Sequence, residues 1–114
     1  MSAAYDYHVL ILAPGLSAAW FMQAAQEYWM RFQPLVTDDP QFLKYLPAGA
    51  SVAVTLLAQP EMVERAQREI AACRSDVEMD IVVADDLPTM EATLNARARA
   101  GRPFGERRRS HEPT

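Results

Sequence analysis

The chain predicts an α/β fold: a small parallel sheet of about four strands flanked by helices, in the order 2-1-3-4, a truncated doubly wound domain. Three observations carry that prediction. First, an apolar run gives way four times to a proline that opens a helix-like stretch, at Pro14, Pro40, Pro60 and Pro88. Proline fits the first helical turn, where its missing N–H would have no partner, so each junction reads as strand, tight turn, helix start. Second, Val9-Leu10-Ile11-Leu12-Ala13 is apolar on both alternating faces, as in a central strand covered by helices on each side. Third, Asp39-Pro40 followed by Leu43 and Leu46, three residues apart, reads as a helix start and not as a strand.

A competing plan makes residues 42–46 a strand, pairs it through 47–50 with 51–58 as a hairpin, and yields a ferredoxin-like α+β sandwich. The half-polar alternation of 51–58 and 77–84 favours that alternative, because half-buried antiparallel strands alternate in this way.

The elements follow in order. Residues 5–13 form the first strand, and Pro14-Gly15 turns the chain. Ser17 caps a helix over 17–33, whose residues Phe21, Ala25, Tyr28, Trp29 and Phe32 fall on one stripe and which Pro34 stops. Residues 35–37 make a short second strand, and 40–46 a brief helix. Residues 51–58 alternate Val52, Val54 and Leu56 with Ser51, Ala53 and Thr55, and their β-branched side chains suit a strand. The stretch 60–74 is an amphipathic surface helix, with Val63, Ala66, Ile70 and Cys73 inward and Glu61–Arg65 and Glu64–Arg68 as favourable i, i+4 pairs. Residues 77–84 form the last strand, with Glu78 and Asp80 on the wet side of a strand near the sheet edge. Residues 87–100 pack as a final helix through Met90, Leu94 and Ala98, which Gly101 ends. The domain therefore spans 1–100, and 101–114 reads as a flexible, Arg-rich tail.

With 114 residues, half of them hydrophobic, the chain has material for one domain and one core. The single Cys73 excludes an internal disulfide, and with two distant histidines, His8 and His111, it argues against a Cys/His zinc site. The early apolar run is short and lacks a basic flank, so it does not read as a signal peptide. Residues 17–33 are interrupted by polar side chains and too short for a membrane span, so we expect a cytoplasmic protein with no membrane partner. Residues 1–96 carry 5 basic against 13 acidic side chains and residues 97–114 carry 6 against 2. An acidic body argues against a broad nucleic-acid surface. The Arg107-Arg108-Arg109 run in the tail reads as solvated.

In a parallel sheet, ligands bind at the carboxyl ends of the strands, where all four proline junctions lie. This edge would present Pro14, Gly15, Ser17 and Gln59 as candidate ligand-binding residues. Asp38, Asp39, Asp85 and Asp86 are candidate metal ligands, since carboxylates suit Mg²⁺, although aspartate before a helix is first of all a cap. The Ala-Pro-Gly-Leu-Ser turn has one glycine and no phosphate-loop pattern. In its place after the first strand it resembles the loop of the small IIB domains of sugar phosphotransferases, over the N-terminal quarter of the chain. Those domains carry the phosphorylated cysteine at the strand's end, where this chain has Ala13 and Pro14.

His8, inside the first strand, has only Asp6 beside it on its face and reads as a surface or edge histidine. Cys73 reads as a buried, inert thiol. The aromatic helix is the main interaction signal. Trp20, Phe21, Tyr28, Trp29 and Phe32 exceed what one face needs against a four-stranded sheet, and these residue types are enriched in interface cores. The function expected is association, as a homodimer or with a protein partner, through this helix. The alternative is a small-molecule, phosphate or Mg²⁺ module, or an enzyme subunit, using the strand-end edge.

Overall fold

Four strands, β1 (Tyr7–Leu12), β2 (Leu35–Thr37), β3 (Val52–Ala58) and β4 (Glu78–Val83), pair in parallel in the order β2-β1-β3-β4. This is the doubly wound arrangement, and the ferredoxin-like alternative is excluded. The structure, a computed structural model, describes residues 5–105. The register runs Tyr7↔Val52 to Leu12↔Leu57 between β1 and β3, and Ala53↔Glu78 to Ala58↔Val83 between β3 and β4. β2 adds only Val9↔Leu35 to Ile11↔Thr37, so one edge of the sheet is short.

The decisive stretch after Asp39 is a 3-10 helix, Pro40–Tyr45, capped by the Asp39 carboxylate, which accepts from the Gln41 N–H at 3.0 Å. It covers the same face as α3 (Val63–Cys73), which a 3-10 turn at Pro60–Met62 introduces. Val9, Ile11, Val54, Leu56, Leu43, Ala66 and Ile70 form the core on that side. On the other face lie α1 (Ala18–Ala24), α2 (Gln26–Phe32) and α4 (Leu87–Ala100), over Leu10, Leu12, Leu57 and Val82. β3 is buried along its whole length.

The expected single helix over 17–33 is instead two helices broken at Ala25 (φ −118°, ψ 37°). Neither proline nor glycine stands there, and alanine is the best helix former, so packing imposes the break. Ala25 is fully buried between Phe21 and Tyr28, and both rings, edge to face at 6.4 Å, bury completely. α2 ends at Gln33 in the left-handed region (φ 49°), as Pro34 blocks continuation.

Arg74, just past α3, ties the chain between the 3-10 helix and β3. Its guanidinium donates to the carbonyls of Leu43, Leu46, Pro47, Ala48 and Ala50, and pairs with Asp76 at 3.1 Å. Loop carbonyls that no ladder would satisfy thereby find donors. No helix among the described residues is long and apolar enough to cross a membrane.

Candidate functional site

The sheet order sets where the four junctions stand. The helices that follow β1 and β3 lie on opposite faces, so the winding reverses between these strands and the crevice at their carboxyl ends is the switch point. Pro14 and Gly15 flank it from β1 and Gln59 from β3. Gly15 has φ +98°, which favours glycine, and a Cβ there would sit 3.6 Å from Gln59 Oε1. The Gln59 amide donates to the Asp85 carbonyl at 3.3 Å, joining the third junction to the fourth. Ser17 is committed to α1, its hydroxyl oxygen accepting from the Trp20 N–H at 3.1 Å.

The two aspartate pairs do not converge. Asp38-Asp39 follows β2 and Asp85-Asp86 follows β4, the outer strands, three strand spacings or roughly 14 Å apart. Asp39 and Asp86 are helix caps, and Asp86 accepts from the Thr89 N–H at 2.8 Å. Hydrogen bonds from Thr89, its hydroxyl first and its backbone second, hold the Asp86 carboxyl below its ordinary value. Among the described residues, no group of three or more His, Cys, Asp or Glu side chains is placed to hold a metal ion.

Of the aromatic set, Phe21 and Tyr28 are wholly inside the core, whereas Trp20, Trp29 and Phe32 pack against it partly buried. The exposed apolar side chains of this region are Met22, Met30 and Leu35. Arg107, Arg108, Arg109 and His111 lie outside the described residues.

A second cluster forms on the α4 side of the sheet. Thr55 and Asp80 pair across β3 and β4 in one row with Leu10, and both are buried. Sequence alternation placed Asp80 toward water; it faces α4 instead. Arg97 of α4 meets it in a forked pair, Nη1 to Oδ2 at 2.7 Å and Nη2 to Oδ1 at 3.3 Å. The Thr55 hydroxyl donates to Asp80 Oδ2 at 3.4 Å. Its single proton is then committed, so His8 Nε2, 2.9 Å from Thr55 Oγ1, is the donor of that bond. His8 is thus tied into the sheet face and not a surface histidine. Burial depresses its pKa to about 4, with Asp80 opposing and Arg97 adding to the shift, so the ring is neutral at pH 7.

Residues beyond α4 cover this cluster. Gly101, in the left-handed region (φ 72°), ends the helix, and the chain turns back, so residues 102–105 lie on the body where the sequence reads as tail. The Pro103 carbonyl accepts from the Tyr28 hydroxyl at 2.6 Å and from Arg97 Nη1 at 3.4 Å. Phe104 stacks edgewise on His8 at 4.6 Å and on Tyr5 at 5.7 Å. The Gly105 N–H donates to Asp80 Oδ1 at 3.3 Å. Every buried side-chain nitrogen and oxygen among the described residues has a partner.

Chemically this cluster is quiet. The Thr55 hydroxyl, which donates to the Asp80 carboxylate, is fully buried. The signal in the sequence was present but indirect: a polar residue at each of three strand positions that share a face, His8, Thr55 and Asp80. Arg97 and Tyr28 gave no sign of joining them.

Comparison with known proteins finds no matching family model, no matching curated protein and no matching solved structure.

Proposed function

We propose that this domain works by association with a second copy of itself, through the outer side of α1–α2. The observation that supports the reading is Met30, a large apolar side chain left 62% exposed at the middle of α2. Gln26, Glu27 and Arg31 surround it at the rim of a shallow depression. An apolar centre inside a polar rim is the anatomy of an interface, and Met adapts readily to a partner's surface. Met22 on α1, 39% exposed, and Leu35 at the start of β2, 41% exposed, are the other exposed large apolar side chains of these segments. Trp20 and Trp29, partly buried on the same two helices, are of the residue types that dominate interface energetics.

Sedimentation velocity tests it. At about 50 µM the chain is expected to sediment as a dimer and Met30→Asp as a folded monomer, since a desolvated charge at an interface centre costs several-fold to orders of magnitude in affinity. A wild-type chain that remains monomeric at that concentration overturns the proposal.

A second reading is a small-molecule or phosphate site at the switch point, where Gly15 and Gln59 stand together. Titration with inorganic phosphate to about 10 mM should shift the Gly15 amide resonance if this crevice binds anions. An unmoved Gly15 disposes of it.

A further inference from the structure

We infer that the cluster of Tyr28, His8, Asp80 and Arg97 is a recognition site for a Pro-aromatic-Gly peptide segment, occupied here by the chain's own Pro103-Phe104-Gly105. Three consecutive residues are each read by a different chemistry. Proline at 103 has its φ already fixed, which lowers the entropic cost of ordering the segment, and its carbonyl accepts from two donors, the Tyr28 hydroxyl and the Arg97 guanidinium. The next side chain enters a slot walled by the rings of His8 and Tyr5. The third residue must be small. Its N–H bonds the Asp80 carboxylate, and a Cβ at Gly105 would collide with the Arg97 guanidinium and stand 3.3 Å from Asp80 Oδ1.

The segment is held as a ligand is held. The Arg102 N–H closes the helix end by donating to the Arg97 carbonyl at 3.0 Å. Residues 103–105 add no strand to the sheet; side chains of the site bind their backbone. Much of the floor is tied together without them, because the Asp80–Arg97 fork and the His8–Thr55–Asp80 chain use no atom of residues 103–105, whereas the Tyr28 hydroxyl donates to the segment itself. A preorganised floor, three readouts and a hinge at Gly101 make an exchangeable occupant, separate from the α1–α2 face. A partner would present the same sequence pattern and compete with the tethered segment.

The test uses the full-length Phe104→Ala chain, which vacates the aromatic slot and leaves every pocket residue in place. Its His8 ring is expected to titrate at least about one unit higher than in the wild type, as burial is relieved. Acetyl-Arg-Pro-Phe-Gly-amide added in trans should move the His8 and Arg97 resonances, saturating at about 1 mM, the range in which a free peptide matches a tethered one. The same peptide with alanine for glycine should bind at least tenfold more weakly. A folded Phe104→Ala chain that gives no shift with peptide to about 10 mM overturns the inference. Hydrogen exchange on the wild type decides independently of any variant. The Gly105 amide should exchange at least about 100-fold faster than the Val54 and Leu56 amides of β3, through local release, and equal protection overturns the inference.

Discussion

Asp80 and Arg97 show how a residue's role is decided by what lies across the fold. A forked pair with both side chains nearly sealed from water is a poor source of net stability, since desolvating two charges offsets most of their attraction. Its consequence appears when one partner is removed. Asp80→Ala leaves a buried guanidinium unpaired, and urea unfolding is expected to show a loss of about 3–5 kcal/mol, whereas the double change Asp80→Leu, Arg97→Met should lose markedly less. Equal losses would mean that Arg97 finds water instead. The caps at Ser17, Asp39 and Asp86 behave differently. Each bonds an N–H two or three residues ahead, so each was legible from local sequence alone. His8, Thr55, Asp80 and Arg97 are joined across separations of 17 to 47 residues, and no short-range pattern reports that.

At the scale of elements, Pro40, Pro60 and Pro88 stand in the first turn of the helices they open, because proline acts on its own φ and its own N–H, whereas Pro14 lies in the turn and α1 starts later, at the Ser17 cap. Leu87–Ala100 begins one residue before Pro88 and ends at Gly101, as the sequence implies. The half-polar alternation of β3 and β4, which favoured antiparallel pairing, has another cause here: Thr55 and Asp80 are polar yet buried, facing Arg97 and His8. The break at Ala25 was not legible, since it answers to the fit of Phe21 and Tyr28 against the sheet and not to any helix-breaking residue. Its far end offers a test. Gln33 holds φ 49° at the α2 C-cap, a conformation that costs a side-chain-bearing residue roughly 1–2 kcal/mol. Gln33→Gly is therefore expected to raise stability by about 1 kcal/mol, read as an increased urea midpoint at unchanged slope.

For the whole molecule, the two strongly shifted groups frame its response to pH. His8 titrates at about 4 in the folded chain against 6.5 ordinarily, so between these values the unfolded chain binds the extra proton. Stability from this group is full above 6.5 and is lost as pH falls toward 4, on the order of 3 kcal/mol. Tyr28, pushed up to about 12 by burial, acts at the other end: the unfolded chain loses its proton first, and stability falls as pH rises from 10 toward 12. Thermal unfolding followed by circular dichroism should show a plateau from about pH 7 to 10, with an acid limb that is shallower in His8→Gln. An acid limb identical in the two chains would assign it to carboxylates alone.

Periodicity, proline and capping act over a few residues, and by themselves they pointed to a parallel α/β domain of order 2-1-3-4 and to the edge where the junctions gather, with a ferredoxin-like plan still open until the strand pairing excluded it. The tertiary structure decided what those residues are near. It separated the two aspartate pairs, took Phe21 and Tyr28 into the core, turned Asp80 inward to Arg97, and laid residues 103–105 over His8. The reason is that backbone preferences are local, whereas the pairing of a buried charge and the covering of a sheet face depend on segments that only folding brings within a few ångströms of one another.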